Sequence, residues 1–527
     1  MAGFDAIIMG TQADDLLDGQ LYPSTFRLLF RGLAGNDRIV STNPHNYIDA
    51  GAGNDLIMSA GGTVDAGSGN DEVNITGSNA AKISDGAGSD HVFISMAKAA
   101  RATVYADATD PTGDDWYIVN NTGATARLSY ASAPLNGILT IDARIGIASG
   151  SAIGTDHFSG FSEIIGGNFH NNIYANDSGM RIWGGLGTNF IWGGAGNDVI
   201  YGKGNYNIIE DMTGGVINIH CGTRTTSGPD TNDYITVSSS LGGVVDVGAD
   251  RGYAKITIDD SFTGISNKLT VYMGNGTSEL VGNDAFEKVF VGQNSTNIVD
   301  LGANGIIYVK GYGVESYRDQ MDLFSSRVAG SLNETISYAD TYLGIELGAG
   351  VPGQFLAKGL EIGQQMIIGI EKIIGGHGND LFASHGDDFV SFTGNAGNDR
   401  FTSNQAIRVG TTSISGGAGN DTMEGGTGYD RIELGDGINL ATGGLGHDDF
   451  CFNTDRTAVA GNTQTTFTDF EDGIDKIRLG GDLTKSYFLD HLAQLDGNVI
   501  FSDGTGDTLT LSNILLSQIS ASDFILV

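Results

Sequence analysis

Large apolar residues recur along this chain one at a time, each between more polar neighbours at the end of a short glycine-rich stretch. In the clearest units these residues are Phe382, Met423, Ile432 and Phe450. Alternation of this kind is typical of a short strand that buries one face. Longer β-rich runs, such as residues 269–273, separate the glycine-rich stretches elsewhere. The pattern predicts an all-β protein built from many short strands.

The spacing of the apolar residues defines a nine-residue unit. From Gly375 the unit reads GGHGNDLFA, and it returns from Gly416, Gly425 and Gly443 as GGAGNDTME, GGTGYDRIE and GGLGHDDFC. The shared pattern is G-G-x-G-x-D-x-U-x, in which U is a large apolar residue. A fixed short period indicates stacked coils. The sequence therefore predicts a parallel β-roll or β-helix solenoid, with two units in each coil.

The first six positions of the unit favour a calcium site. Glycines at positions one, two and four allow a tight turn with inward-pointing carbonyls. The aspartate at position six adds a carboxylate oxygen, and Ca²⁺ prefers such hard oxygen ligands. One isolated Gly-Asn-Asp is usually a solvated surface turn, whereas repetition at fixed spacing favours a metal. The predicted ligand positions in this region are Gly375, Gly378, Asp380, Asp388, Asp399, Gly416, Gly419, Asp421, Gly425, Gly428, Asp430, Gly443, Gly446 and Asp448.

Two units of this block depart from the pattern. The unit that begins at Ser384 and ends its turn at Asp388 is one residue short. The unit at residues 434–442 carries Asn439 where aspartate is expected. Both are weaker candidates for an ion.

A first, more degraded block near the N-terminus has the same turns at about twice the interval. The aspartates lie 18, 16 and 19 residues apart. One half of each coil has kept the calcium turn and the other has drifted, which predicts a β-helix with ions along one edge. The predicted ligands are Asp37, Asp55, Asp71 and Asp90.

A second block begins near residue 164, and in it only Asp198 keeps the complete consensus. Asn172 and Asn189 are assigned to the equivalent position in neighbouring units. An amide oxygen is a weaker calcium ligand than a carboxylate. This block is therefore predicted to act more as scaffold than as an ion site.

The repeats divide the chain into six predicted segments. The segment at 101–162 is either β-helix without ions or an inserted sheet, and the middle region favours a parallel β-helix over an irregular sandwich. Tyr312, Tyr317, Tyr338 and Tyr342 of the middle region are first of all packing or surface residues, and also the first place to seek glycan contacts. The segments are a repeat block (1–100), a β-rich connecting segment (101–162), a second repeat block (163–215), a β-rich middle region (216–370), a third repeat block (371–453) and a C-terminal cap (454–527).

Composition adds a strong charge constraint. The 527 residues include 82 glycines and 6 prolines, and 63 acidic residues outnumber 27 basic ones for a formal net charge of −36. Such a polyanion is a poor partner for nucleic acid or an anionic membrane. Roughly ten bound Ca²⁺ would offset about 20 of those charges. No run of 18 apolar residues occurs, so no transmembrane segment is expected.

The repeats and the tail together resemble the RTX exoproteins that Gram-negative bacteria export through type I secretion systems. The tail reads FTDFEDGIDKIRL from Phe467 and ends with Asp523 among apolar neighbours, as in the uncleaved export signals of that family. The resemblance covers the three repeat blocks and the tail but leaves out the middle region. It implies export through the type I apparatus, calcium-driven folding outside the cell, and a secreted or cell-surface location.

The sequence weighs against two common enzyme classes of such exoproteins. It contains neither H-E-x-x-H, as in metalloproteases, nor G-x-S-x-G, as in lipases. A polysaccharide lyase or epimerase on a β-helix remains open, as does an adhesin. The favoured interpretation is a non-enzymatic surface-layer or extracellular matrix protein that self-associates with calcium and has cell-surface polysaccharide as a possible partner.

Overall fold

The structure is a computed structural model of the chain. It describes residues 3–97, 100–106, 110–120, 125–132, 137–211, 216–221, 232–237, 243–247, 253–258, 268–273, 277–282, 286–291, 296–301, 306–309, 321–326, 335–351, 354–370, 372–384, 391–403, 411–454, 463–481, 484–502, 504 and 506–526.

The chain folds into two compact units, Met1–Ser261 and Phe262–Val527. In each unit the backbone alternates between two sheets, here called sheet A and sheet B, so that one strand of each forms a coil. Strands of successive coils pair in parallel, as when Ile39 of one coil faces Ile57 of the next. The predicted all-β, parallel β-roll or β-helix solenoid is confirmed.

The strands of the first unit are numbered in chain order. Sheet A contains β1 (Ala6–Met9), β3 (Leu28–Arg31), β5 (Tyr47–Asp49), β7 (Gly62–Asp65), β9 (Ala81–Ser84), β11 (Arg101–Tyr105), β13 (Thr125–Ser129), β17 (Glu163–Ile165), β19 (Arg181–Trp183), β21 (Val199–Tyr201), β23 (Ile217–His220) and β25 (Gly243–Asp246). Sheet B contains β2 (Leu16–Asp18), β4 (Arg38–Ser41), β6 (Leu56–Ser59), β8 (Glu72–Gly77), β10 (His91–Met96), β12 (Trp116–Val119), β14 (Ile138–Asp142), β15 (Ile147–Gly150), β16 (Gly154–Ser159), β18 (His170–Tyr174), β20 (Thr188–Trp192), β22 (Tyr206–Asp211), β24 (Asn232–Val237) and β26 (Tyr253–Ile258).

The second unit follows the same plan. Its sheet A contains β27 (Lys268–Tyr272), β29 (Phe286–Phe290), β31 (Ile306–Tyr308), β33 (Thr335–Ser337), β37 (Lys372–Ile374), β39 (Ser391–Ala396), β41 (Thr411–Ala418), β43 (Thr427–Asp436), β46 (Asp449–Thr454), β48 (Lys476–Gly481) and β52 (Phe524–Leu526), with the short β45 (Leu445–Gly446) against β43. Its sheet B contains β28 (Thr277–Val281), β30 (Thr296–Leu301), β32 (Met321–Ser326), β34 (Glu346–Val351), β35 (Gln354–Gly359), β36 (Gly363–Ile368), β38 (Leu381–Ser384), β40 (Arg400–Ser403), β42 (Thr422–Glu424), β44 (Ile438–Thr442), β47 (Gln464–Phe467), β49 (Leu492–Leu495), β50 (Asn498–Ser502) and β51 (Thr508–Leu511).

The core of each coil consists of the inward-facing apolar side chains of its strands, as the alternation predicts. Ile39 and Ile57 are fully buried, and the predicted inward residues Phe382, Met423 and Phe450 are fully buried as well. Each such side chain lies over its counterpart in the next coil. Burying an apolar side chain stabilises the fold by about 1.5 to 3 kcal/mol, so the stack derives its stability from many equal contributions.

An antiparallel meander interrupts the parallel stack of sheet B in the first unit. Strand β16 pairs in parallel with β12, then β15 runs antiparallel to both β16 and β14, and β14 pairs in parallel with β18. Sheet A continues meanwhile through β11, β13 and β17. Of the two alternatives for 101–162, both are therefore realised: further β-helix in sheet A and an insertion in sheet B.

The second unit repeats this arrangement twice. Strands β34, β35 and β36 form the same meander between β32 and β38. Strands β49, β50 and β51 form a third, which joins the stack through β47. In the first two meanders a buried tyrosine anchors the third strand, since Tyr130 donates to Asp156 and Tyr338 to Gln365, at 2.8 and 2.6 Å.

The remaining strands of the middle region pair in parallel, so the preference for a β-helix there is confirmed over its described residues. Tyr338 is a core residue, Tyr342 is exposed, and Tyr312 and Tyr317 lie outside the described residues. The helical elements are α1 (Lys485–Asp490) and two 3-10 turns (Leu516–Gln518 and Ala521–Asp523). Over the described ranges, no helix has the length and apolar character needed to cross a membrane.

Candidate calcium sites

The aspartates of the first block form a ladder along one edge of the first unit. They end the turns that lead from sheet A to sheet B, which we call the first edge. Oδ1 of Asp55 accepts the Asp37 backbone N–H at 2.7 Å. Oδ1 of Asp71 and Oδ1 of Asp90 each accept the N–H of the preceding aspartate at 2.7 Å, so each aspartate is one rung of the ladder. Each aspartate is at most 2% exposed. One carboxylate oxygen of each residue thus ties two coils together.

The second carboxylate oxygen lacks a protein partner at most of these rungs. Oδ2 is buried without a hydrogen bond in Asp37, Asp55 and Asp71, and likewise in Asp399 and Asp421 of the second unit. A buried carboxylate oxygen without a partner costs several kcal/mol. Five such oxygens at equivalent rungs indicate a ligand that supplies positive charge.

A backbone carbonyl of the next coil faces the same point as the free oxygen. A Cβ placed on Gly394 would overlap Asp399 Oδ2 and the Gly416 carbonyl oxygen. Gly375 has the same relation to Asp380 Oδ2, which also accepts the Gly376 N–H. At Gly416 the same Cβ would overlap Asp421 Oδ2 and lie 2.9 Å from the Leu434 carbonyl oxygen. Position one must therefore be glycine, because a side chain would fill the space between oxygens from two coils.

These oxygens fit Ca²⁺. Carboxylate and carbonyl oxygens drawn from two coils are the donor set that calcium takes at 2.3–2.6 Å. The described residues contain no cluster of three acidic, histidine or cysteine side chains suited to a metal. The turn carbonyls beside each aspartate are the other oxygen donors at these positions. The predicted glycines at 378, 416, 419, 425, 428, 443 and 446 contribute backbone to the same turns.

Burial sets the protonation of the ladder. It raises the pKa of Asp71 to about 7; the Asp55 amide hydrogen bond lowers this pKa and the Asp55 carboxylate raises it. Ionisation of two adjacent carboxyl groups is unfavourable at a poorly solvated edge, because the like charges repel and little water stabilises them. Burial likewise raises the pKa to about 7 in Asp399 and Asp448 and to about 6 in Asp55, Asp380 and Asp421.

Protonation of these carboxylates is expected to stabilise the calcium-free protein, in part as calcium binding would. A carboxyl whose pKa is higher in the folded state binds protons on folding, so the calcium-free protein should gain stability as the pH falls from 8 through 7 and 6. Thermal unfolding in chelator between pH 8 and pH 5, followed by circular dichroism, measures this. In saturating calcium the trend should reverse, because protons then compete with the ion. A calcium-free stability that falls steadily from pH 8 to pH 5 would contradict the assignment.

The third block carries candidate sites on both edges of the second unit. On the first edge, Asp380, Asp399 and Asp421 form a ladder, and Asn439 accepts the Asp421 N–H at 2.9 Å as its next rung. On the opposite edge, where sheet B returns to sheet A, Oδ1 of Asp448 accepts the Asp430 N–H at 2.9 Å. Asp388 lies outside the described residues.

In the second block an asparagine ladder replaces the aspartates on the first edge. Nδ2 of Asn171 donates to Asn189 at 2.8 Å, and Nδ2 of Asn189 donates to Asn207 at 2.8 Å. The same amide groups donate to turn carbonyls, as from Asn189 to the Gly202 oxygen at 3.0 Å. The side-chain NH₂ therefore satisfies carbonyls that an ion would otherwise bind. The assignment of Asn172 was wrong by one residue, because buried Asn171 holds the ladder position.

Asp198 lies on the opposite edge of this block, where sheet B returns to sheet A. Its Oδ1 accepts the Met180 N–H at 2.7 Å and its Oδ2 accepts the Gly194 N–H at 3.0 Å. Both oxygens keep further lone pairs, as do those of Asp380, which are bonded in the same way. The aspartate thus has the consensus geometry, without the partnerless oxygen of the first block.

Three rungs lie outside the predicted ligand set, although the stretch from Gly10 to Asp15 reads as a degraded repeat. Asp15 and Asp115 extend the first ladder at its two ends, where Asp37 Oδ1 accepts the Asp15 N–H and Asp115 Oδ1 accepts the Asp90 N–H. In the tail, Asp475 Oδ1 accepts the Asp448 N–H at 2.9 Å. The signal for Asp475 was its tail motif DFEDGID, which is a calcium-type turn without glycines at its first positions.

Comparison with known proteins supports the repeats. A family model for the RTX calcium-binding nonapeptide repeat matches four copies, within residues 31–64, 181–209 and 413–450. No curated protein matches the sequence. Among solved structures, the extracellular lipase LipA from Serratia marcescens aligns with a TM-score of 0.19 and 14% identity over 53% of this chain and 45% of the lipase. The chain thus spans less than half of that lipase, and Ca²⁺ is the ligand that the matched repeats bind.

Proposed function

We propose that this RTX-type repeat protein is exported unfolded, folds on calcium outside the cell, and assembles into a surface layer or extracellular matrix. The observation that carries the proposal is the set of buried aspartate oxygens without a protein partner in the ladder turns. Each of these oxygens is completed by an ion, so ion binding and coil formation are one event.

The calcium gradient across a cell envelope then decides where the protein folds. Extracellular modules bind calcium with dissociation constants of about 10⁻⁴ to 10⁻³ M, whereas free calcium inside cells is far lower. One site at 100 times its dissociation constant stabilises the fold by about 2.7 kcal/mol, and a half-saturated site by only about 0.4 kcal/mol. Many modest sites acting together therefore keep the chain unfolded inside and folded outside.

The tail supports export in this form. Its last strand, β52, pairs with β48, and the buried Asp523 accepts the Ser520 N–H at 2.7 Å. Outside the cell the proposed export signal is thus an integral part of the folded second unit. Before folding it would be extended and accessible to a type I apparatus.

The third meander supports self-association. In the first two meanders the outer edge of the first strand is occupied, since β14 pairs with β18 and β34 with β38. The corresponding strand β49 pairs only with β50 among the described residues, and Leu495 on it is 55% exposed. An open sheet edge with apolar side chains is a template for strand addition. A second copy of the chain is the proposed partner.

Calcium titration of the refolded protein tests the assembly. Ordered sheets or filaments should appear in negative-stain images and in light scattering as calcium rises through the millimolar range, and chelator should dissolve them. The variant Leu495→Lys should fold at the same calcium concentration yet assemble several-fold less, because a charge on an edge strand opposes strand addition. Leu21→Lys, at a residue 88% exposed in the first unit, is the matched control.

A protein that folds with calcium but stays monomeric at every concentration would contradict the assembly. Acidic polysaccharides would then be screened for cleavage or epimerisation, as expected of a β-helical glycan-modifying enzyme. Binding to cells without assembly or turnover would instead indicate an adhesin.

A further inference from the structure

The outer face of sheet A in the first unit carries a column of cationic residues. Strand register places Lys82, Thr103 and Arg127 side by side on β9, β11 and β13. The same column continues through Glu163 on β17 and Arg181 on β19. Arg101 lies two residues before Thr103 on β11 and contacts the Glu163 carboxylate. We call these side chains the cationic stripe.

A single buried carboxylate holds the arginines in place. Glu163 contacts Arg127 at 2.6 Å, Arg181 at 3.2 Å and Arg101 at 3.5 Å. The glutamate side chain is 3% exposed, whereas Arg101 and Arg181 are 52% and 45% exposed. Four cationic groups and one carboxylate leave a formal excess of three positive charges. The exposed guanidinium groups are thus oriented by Glu163 but not neutralised by it.

This local charge opposes that of the whole chain, which has a formal net charge of −36. Charges on a protein surface are screened over about 8 Å at physiological ionic strength. An anionic ligand on the stripe therefore responds mainly to the cations beneath it. Bound calcium on the edges weakens the remaining repulsion.

Aromatic side chains flank the stripe on one side. Tyr105 is 41% exposed, and the Arg127 guanidinium lies 4.5 Å from the centre of the Trp183 ring. Trp183 in turn stacks on Tyr201 at 5.3 Å. Aromatic rings beside cations provide apolar contact for the C–H faces of a sugar together with charge for its acidic groups.

The spacing of the cations favours an extended, regularly charged ligand. Lys82, Arg127 and Arg181 lie on every second strand of sheet A, and strands about 4.8 Å apart place them roughly 10 Å from one another. This is close to the length of a disaccharide, and thus to the spacing of carboxylates in a polysaccharide with one uronic acid per two sugars.

We propose that the cationic stripe binds an acidic polysaccharide along the stacking direction of the coils. The proposal rests on the proposed function, since it needs an extracellular location, and it names the surface glycan that would hold the assembly. Arg101 and Arg181 make the charge contacts, Arg127 and Glu163 fix their geometry, and the neighbouring aromatic rings pack against the sugar.

Binding of hyaluronan to the calcium-loaded full-length protein tests the proposal. Hyaluronan has one carboxylate per disaccharide and does not gel with calcium, and dextran is the uncharged control. The variant Arg101→Gln/Arg181→Gln keeps the Arg127–Glu163 pair and should bind roughly tenfold more weakly, with a shallower salt dependence, because fewer counter-ions are exchanged. Arg101→Lys/Arg181→Lys should retain most of the binding.

The matched control removes two cations elsewhere. Arg144 and Lys358 each pair with one carboxylate and are more than half exposed. The variant Arg144→Gln/Lys358→Gln should bind hyaluronan as the parent does. Equal calcium-induced circular dichroism spectra of all variants establish that each has folded.

Two results would overturn the inference. One is a parent protein that does not bind hyaluronan, or binds dextran equally well. The other is an Arg101→Gln/Arg181→Gln variant that binds hyaluronan normally but no longer scatters light as assemblies, which would assign the stripe to contacts between copies. Hyaluronan binding by a protein that remains monomeric would instead refute the assembly alone.

Discussion

Removal of calcium is expected to expose the aspartate-ladder coils to hydrogen exchange while the asparagine-ladder coils stay protected. Without ions, the buried aspartates keep oxygens that lack a partner and repel one another from rung to rung. In residues 163–211 the Asn171 NH₂ donates to Asn189, the Asn189 NH₂ donates to Asn207, and both also donate to turn carbonyls. These coils therefore need no ion on their first edge.

Hydrogen–deuterium exchange with mass spectrometry, in chelator and in saturating calcium at one pH, measures the difference. Protection of peptides from residues 28–96 and 391–452 should fall by at least an order of magnitude in chelator, since each lost ion contributes about 2.7 kcal/mol when well saturated. Because neighbouring coils stabilise one another, protection within 163–211 should decline toward its ends. Uniform loss across the first unit would contradict the role given to the asparagines.

The variant Asp421→Ala is expected to destabilise the second unit by about 4 to 6 kcal/mol in calcium. The substitution removes a charged acceptor of the Asp399 N–H, which is worth about 1.5 to 3 kcal/mol, and an ion worth about 2.7 kcal/mol at 100 times its dissociation constant. Denaturant unfolding followed by a probe in the second unit gives the stability. Calorimetric titration gives the number of bound ions, which should fall.

Two variants separate the contributions to this effect. Asp421→Asn keeps the acceptor oxygen and should retain the rung bond, as Asn439 does one coil further, while it lowers the ion count. Asp490→Ala removes an exposed carboxylate at the end of α1 and should change neither quantity. A loss of stability in Asp490→Ala equal to that in Asp421→Ala would attribute the effect to net charge.

The stack and its aspartate ladders were predictable because each follows from a short local rule. Alternation placed Phe382 and Phe450 inside, and the turn pattern placed Asp55 and Asp399 at equivalent rungs. Such rules operate within nine residues, so they survive without any knowledge of the tertiary structure. The same turn pattern indicated that one half of each coil in the first block had kept the consensus turn and the other half had lost it.

The meanders could not be predicted, for a physical reason. A strand in an antiparallel hairpin and a strand in a parallel coil have the same alternation, so β14, β15 and β16 read like neighbouring coils. The rungs at Asp115 and Asp475 were missed because their turns lack the consensus glycines at positions one and two. Only the bond from the neighbouring coil, which no local pattern encodes, identifies them.

The first ladder keeps one bond while the chain between its rungs varies greatly in length. Successive rungs from Asp15 to Asp115 are 22, 18, 16, 19 and 25 residues apart, yet the same amide meets the same oxygen at 2.7 to 2.8 Å. This hydrogen bond thus keeps successive coils in register whatever the number of residues between two rungs. The opposite edge tolerates a longer loop where β2 ends at Asp18 and β3 begins at Leu28, and there an engineer can graft a foreign peptide without disturbing the ladder bond.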